Sequence, residues 1–212
     1  FFFAAMRHYK NDLISHGFHV IYHEYDPKNQ QSFVETLQSL LPKLTDVQLI
    51  EIVDHEFKLQ LEDSLNVANI QYSISPSHMF LNSEEHFSEY ASTVKRPFMK
   101  TYYQRTRQNN DILMLNGQPV GGKYSFDEMN RKKCPKNCDI PSREFPKHSQ
   151  TTLEVIDLVN QYFSDHPGDA KKLWIPVTRS EALDWWRYFL NTYFHQFGDY
   201  EDAIDTRDDF LF

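Results

Sequence analysis

Few residues of this 212-residue chain have the types and spacing that catalytic or metal chemistry requires. Cys134 and Cys138 are three residues apart, and neither a second cysteine pair nor a spaced histidine pair lies near them. Because a zinc or iron-sulfur site needs four ligands, we predict two exposed thiols here and no metal site. The ten histidines are scattered, and no nucleophile or phosphate-loop motif occurs. These residues alone therefore predict no catalytic group.

A glycine-punctuated basic segment in an otherwise acidic chain is the feature that could bind a ligand. Residues 95 to 147 contain 12 lysines and arginines against 5 acidic residues, whereas the rest of the chain contains 10 against 25. The local balance is +7 in a chain whose net charge is -8. A polyanion responds to the local field, so the segment is a candidate phosphate-binding surface. A solvated surface loop is the alternative, since most charge runs are simply hydrated.

Hydrophobic periodicity predicts the elements that position this segment. In the first half, helical patterns alternate with short β-rich runs, which is typical of a parallel sheet covered by helices on both faces, the doubly wound α/β fold. The expected helices cover residues 1 to 16, 32 to 41 and 56 to 67 and begin again at Ser83 and Pro97, and the expected strands cover residues 18 to 22, 47 to 53 and 70 to 74.

The alternating pattern ends before residue 115. From 115 to 148 glycine, proline and basic residues replace the periodic apolar positions, which predicts a long basic loop. Helices resume at residues 150 to 163 and after the Thr178 to Glu181 capping box. The predicted parts are thus an α/β domain (1 to 114), a basic loop (115 to 148) and a helical segment (149 to 212). Aromatic residues between Trp174 and Phe197 have helical spacing, which favours core packing over a stacking platform or an electron-hopping chain.

Composition narrows the class of protein. With 40% hydrophobic and 15% aromatic residues the chain can bury a core, so disorder throughout is excluded. No run of eighteen apolar residues occurs, which predicts no membrane span. Two cysteines in a chain of this size indicate a reducing compartment, and we expect a cytoplasmic protein. Because the chain opens in mid-helix pattern and ends on the apolar Phe210-Leu211-Phe212, we expect a fragment of a longer protein.

Several motifs also occur in a characteristic order. They are AAMRHY from Ala4, RPFMKTYY from Arg96, GQPVGGKYSFD from Gly117 with NRK from Asn130, PVTR from Pro176, and FGDYEDA from Phe197. Together they resemble the deoxyribodipyrimidine photolyase-related family, the prokaryotic (6-4) photolyases and cryptochromes with an iron-sulfur cluster. The resemblance spans essentially the whole chain. It departs at Tyr124 and Ser125, where Trp and Asn are usual, and at Ile204, where Met is common.

The resemblance implies a Rossmann-like N-terminal domain that holds a lumazine antenna and a larger helical C-terminal domain that holds FAD and a 4Fe-4S cluster. Residues linked to the antenna would precede Phe1, and the FAD site, cluster cysteines and catalytic residues would follow Phe212. We therefore expect no tightly bound cofactor and no catalytic residue in this chain, and its cofactor-binding residues are unknown. The expected partners of the whole protein are damaged DNA and its own FAD domain.

The family places the basic segment on the side that faces the lesion. The residues expected to contact DNA are Lys123, Arg131, Lys132, Lys133 and Arg143. The implied activity is light-driven repair, for which the lesion is turned out of the stack at a cost of about a few kcal/mol. Positive charge beside the pocket would hold the DNA backbone while this happens. Two alternatives stay open: a blue-light photoreceptor without repair activity, and an interaction module that holds a protein partner.

Overall fold

The computed structural model describes residues 1–29, 31–130, 132–137 and 147–203. In chain order the helices are α1 (Phe2–Ser15), α2 (Phe33–Leu40), α3 (His55–Val67), α4 (Glu84–Thr93), α5 (Met99–Asn109), α6 (Gln150–Tyr162), α7 (Arg179–Thr192) and α8 (Phe194–Tyr200), with 3-10 turns at Leu41–Lys43, Asp127–Met129 and Ala170–Lys172. The strands are β1 (Asp46–Ile50), β2 (Gln71–Ser75), β3 (Met114–Leu115) and β4 (Gln118–Pro119).

These elements form two compact units. The middle unit is Lys28–Tyr124, and the terminal unit combines Phe1–Pro27 with Ser125–Phe212. The contacts thus group the chain differently from the predicted parts, because α1 packs on α6, far along the sequence. The division at residues 114 and 148 stays a prediction about the organisation of the whole protein.

The middle unit is built on a β-α-β unit. Strands β1 and β2 pair in parallel with Val47 opposite Tyr72, and α3 connects them. Leu61 and Leu65 on α3 are buried with Leu41 and face the inner side chains of the strands, including Val47. The parallel pairing and the mixed α/β class predicted from the sequence are confirmed. A doubly wound sheet would be larger than these two strands and stays a prediction.

Side-chain caps fix where several helices begin. Ser32 caps α2 by accepting the backbone N–H of Glu35, and the Glu35 carboxylate accepts the backbone N–H of Ser32 at 2.7 Å and its hydroxyl at 2.8 Å. These two hydrogen bonds, the backbone one first, lower the pKa of Glu35. A lowered pKa means that this cap contributes stability above the ordinary pKa of a glutamate and loses it as pH falls through the lowered value. The predicted caps Ser83 and Thr178 are confirmed as well.

In the terminal unit, α1 lies on α6. Ala4 of α1 is buried with Val155 of α6 and Val177. Beside this apolar contact, His8 Nε2 lies 3.0 Å from the hydroxyl of Thr152 and 3.1 Å from that of Ser149, the residue that caps α6. Since Thr152 is 1% exposed, its contact with His8 satisfies a hydroxyl that water cannot reach.

Two sequence-based predictions need correction. Residues 18 to 22 form no strand, and Phe18 and Ile21 remain 62% and 56% exposed. A β-rich run becomes a strand only where a neighbouring edge takes its backbone hydrogen bonds, and no described strand pairs with this run. Helix α5 begins at Met99 with Phe98 as its N-cap, so Pro97 precedes the helix and is not in its first turn.

Candidate nucleic-acid interface

A buried arginine, Arg107, lies in the last turn of α5, just before the predicted basic loop. Arg107 is 4% exposed, and its guanidinium donates to three carbonyls, those of Ile112 at 3.1 Å, Leu113 at 2.6 Å and Tyr124 at 2.6 Å. The same group lies 5.8 Å from the ring centroid of Tyr103 and 5.4 Å from that of Tyr124. Burying a charge is costly unless its donors find acceptors, and here carbonyls and ring faces take the place of water.

A short β-hairpin supplies part of this cradle. Strands β3 and β4 pair antiparallel around Asn116 and Gly117, whose φ angles are 50° and 75°. Positive φ at both central residues is what a type I′ turn requires, and an Asn-Gly pair provides it at the lowest cost. Val120 N–H closes the hairpin by donating to the Leu113 carbonyl at 2.9 Å. The first part of the predicted loop is therefore regular structure.

Gly117 allows a matched test of this turn. Neither Gly117 nor Gly198 has an atom within 4 Å of the position of an added Cβ, but only Gly117 has positive φ. We expect Gly117→Ala to lower the free energy of unfolding by about 1 kcal/mol, because the left-handed region disfavours an L side chain. Gly198→Ala in α8 should be neutral or stabilising by about 0.5 to 1 kcal/mol. Chemical denaturation of both variants measures the difference, and equal effects would argue against the turn.

Lys123, the first residue predicted to contact DNA, lies next to this cradle in the middle unit. It is partly buried and follows Gly121 and Gly122, both of which have φ of 81°. Its neighbour Tyr124 is held at the carbonyl by Arg107 and at the hydroxyl by Gln108 Nε2, 2.6 Å away. Lys123 is thus carried by a backbone that α5 positions.

Lys132 belongs to the terminal unit and contacts the end of α8. Its N–H donates to the Asp199 carbonyl at 3.1 Å, and the N–H of Asp202 donates to the Asn130 carbonyl at 3.3 Å. The Lys132 ammonium lies 2.8 Å from Asp199 Oδ1, with the two side chains 51% and 46% exposed. Since the last carbonyls of a helix have no partner within it, the Lys132 N–H also satisfies one of them.

Carboxylates reduce the positive field of this part of the segment. Asn130 is 8% exposed, and its amide nitrogen lies 3.4 Å from Asp127 Oδ1 and 3.5 Å from Glu201 Oε2. Its Oδ1 has no hydrogen-bond partner within the described ranges. Asp127, Glu201 and Asp199 thus place three carboxylates beside a segment that is mainly basic in sequence.

The other residues singled out from the sequence are placed as follows. Lys133 is exposed, whereas Arg131 and Arg143 lie outside the described residues. Cys134 is partly buried, which corrects the prediction of an exposed thiol, and Cys138 also lies outside the described residues. In the part of the chain that the structure describes, no group of three or more His, Cys, Asp or Glu side chains could hold a metal ion.

The aromatic residues of α7 and α8 do not form a core among the described residues. Trp186 and Phe194 are 54% and 55% exposed, and α7 contains no buried residue. The rings contact one another instead, since Phe189 lies 5.7 Å from Trp186, 5.7 Å from Phe194 and 5.5 Å from Phe197 between ring centroids. The prediction of core packing is therefore wrong for the residues described.

Sequence reasoning missed two residues that contact the basic segment, one in each compact unit. Arg107 had a usable signal, because the Asn116-Gly117 pair marks a hairpin that must pack against the preceding helix. Asp199 had no such signal, since its contact with Lys132 joins residues far apart in the sequence.

None of the described helices is long and apolar enough to cross a membrane.

Comparison with known proteins gives concordant matches. The family model described as deoxyribodipyrimidine photo-lyase-related protein matches residues 1–174. A (6-4) photolyase from Agrobacterium fabrum (strain C58 / ATCC 33970) is 28% identical over 207 residues, which cover 96% of this chain and 41% of that protein. Uncharacterized protein R852 from Acanthamoeba polyphaga mimivirus is 31% identical over 142 residues, covering 65% of this chain and 71% of that protein. The chain spans less than half the length of the first of these relatives.

Proposed function

Because the chain belongs to the deoxyribodipyrimidine photo-lyase-related protein family, we propose that it is the N-terminal part of a light-driven, flavin-dependent DNA photolyase of the (6-4) type. The observation that carries this proposal is the similarity to a (6-4) photolyase over 96% of the chain. In the proposed whole protein, residues 1 to 114 form the antenna-type domain with a doubly wound sheet, residues 115 to 148 the interdomain loop, and residues 149 to 212 lead into the FAD domain. A cytoplasmic location is part of the same proposal.

The hollow that Phe1 to Phe3 help to line does not fit FAD. The apolar hollow between α1 and α6 is lined largely by Phe1 to Phe3, Val155, Phe163 and Trp174, and Lys172 is the permanent cation among its described lining residues. A dinucleotide needs several N–H donors or cations around its phosphates. We therefore propose that other segments of the whole protein hold FAD, and that the 4Fe-4S cluster and the lumazine antenna expected from the family are held there as well.

The proposed role of this chain is to hold the DNA backbone. In the proposed whole protein, a bound reduced flavin would supply the electron for repair of the lesion, and the residues of this chain would hold the duplex. Turning the lesion out of the stack costs a few kcal/mol, and contacts with flanking phosphates stabilise the opened duplex. Lys123, Lys132 and Lys133, with Arg131 and Arg143, are the residues that we propose make these contacts. Phosphate contacts carry no sequence information, which suits a protein whose target is a lesion.

Repair by the whole protein under blue light tests the proposed function. We expect a duplex with a single (6-4) photoproduct to be restored in light and to stay damaged in the dark, while a cyclobutane-dimer duplex serves as the lesion control. If both lesions persist although the protein contains flavin and responds to light, repair would be contradicted and a photoreceptor favoured.

An absorption spectrum tests where the flavin is held. We expect the purified 212-residue chain to show no stoichiometric flavin band after incubation with FAD and dialysis, because the apolar hollow offers the FAD phosphates a single lysine. The whole protein prepared in the same way is the positive control. A flavin band at one equivalent in the isolated chain would contradict this placement.

A further inference from the structure

The contact between Lys132 and Asp199 has two separable parts. Two backbone hydrogen bonds, Lys132 N–H to the Asp199 carbonyl and Asp202 N–H to the Asn130 carbonyl, fasten the basic segment to the end of α8. The ion pair at 2.8 Å is a further contact between the side chains of Lys132 and Asp199. Because the backbone bonds do not depend on either side chain, the segment can stay in place when the ion pair is broken.

The ion pair is weak enough for another acceptor to replace Asp199 at the Lys132 ammonium. Both side chains are about half exposed, at 51% and 46%, so water and salt screen their attraction. Exposed pairs of this kind are weak, and a phosphodiester oxygen offers the same ammonium an equivalent acceptor. Asp199 Oδ1 therefore takes up one of the three donors of the Lys132 ammonium that a phosphate could use.

We propose that Asp199 is an intramolecular competitor of the DNA backbone, which holds Lys132 in the free protein and is displaced by a phosphate when duplex binds. This inference rests on the proposed function and names a regulation of the same surface. The neighbouring Glu201 and Asp127, which contact Asn130, add to the negative field that an incoming phosphate meets. Since phosphates of damaged and undamaged duplex are alike, the competition lowers affinity for both equally.

Removing the competitor should tighten DNA binding through Lys132 alone. In the whole protein we expect Asp199→Asn to lower the Kd for an undamaged fluorescein-labelled duplex about two- to fivefold, the range set by an exposed ion pair. The salt dependence should change by much less than the value of about 0.9 for one phosphate contact, because a phosphate contacts Lys132 in both complexes. Asp184→Asn is the matched control, because Asp184 is exposed, pairs with Arg187 at 2.9 Å and gives the same change in net charge.

A double-mutant cycle with Lys132→Ala decides the inference. We expect Asp199→Asn to have no more effect than Asp184→Asn once Lys132 is absent. An equal gain in affinity with and without Lys132, or no gain beyond that of Asp184→Asn, would overturn the competition. If Lys132→Ala weakens binding while Asp199→Asn shows no coupling to it, the inference fails and the proposed function stands. If combined Ala substitution of Arg131, Lys132 and Lys133 leaves binding unchanged, the proposed DNA-contacting role fails first.

Discussion

Changing Arg131, Lys132 and Lys133 together to Ala in the whole protein should reduce the salt dependence of DNA affinity by about two to three units. Each phosphate contact on duplex DNA contributes about 0.9 to the slope of log affinity against log salt, because it releases bound counterions. Binding to damaged and undamaged duplex should weaken alike, as measured by fluorescence anisotropy at several salt concentrations.

The control removes the same charge elsewhere in the terminal unit. Lys171, Lys172 and Arg179 are all exposed and lie outside the basic segment. Changing these three to Ala alters the net charge equally, so it should change the slope much less if the contacts are local. An unchanged slope and affinity in the first variant would reduce the segment to a solvated loop. The photoreceptor and partner-binding alternatives would then be preferred.

Arg107→Met should be the most destabilising substitution among those proposed, at about 2 kcal/mol or more. Methionine fills much of the same volume but leaves the carbonyls of Ile112 and Tyr124 without their donor, whereas the Leu113 carbonyl keeps the N–H of Val120. An acceptor shielded from water that loses its partner costs about 1 to 3 kcal/mol, and two are affected at once. The free energy of unfolding from urea titration measures the effect.

Lys100→Met provides the comparison for Arg107. Lys100 lies on the same helix, is exposed and carries the same charge, so its replacement should cost within about 0.5 kcal/mol. A loss below about 1 kcal/mol for Arg107→Met would contradict the role of the guanidinium in holding the hairpin. Arg107→Lys should be intermediate, because an ammonium cannot reach three carbonyls in the fixed fork of an arginine.

Local signals in the sequence predicted much of the fold. Ser32, Ser83 and Thr178 are capping residues with the expected partners three positions later, and each begins a helix. The two apolar runs that became β1 and β2 were correctly paired in parallel, because a helical pattern lies between them. These features depend on neighbours in the chain, which a sequence displays directly.

Features that depend on distant partners were not predicted. The run at residues 18 to 22 has strand propensity but no described partner strand, and propensity alone cannot supply one. Periodicity grouped Trp186 with its aromatic neighbours on one face without indicating what covers that face. The basic segment was read from lysines and arginines, whereas its field also depends on Asp199 and Glu201, which approach it only in the fold.

The central claim is that this chain binds DNA as part of a photolyase. It is tested most directly by the rate of blue-light repair, measured at increasing concentrations of lesion duplex. We compare the whole protein with the variant in which Arg131, Lys132 and Lys133 are Ala. We expect equal repair rates at saturating DNA, because we propose that another segment holds the flavin. The variant should have a higher half-saturating concentration, because phosphate contacts are lost. Identical concentration dependence of the two proteins, or no repair by either, would contradict the proposal.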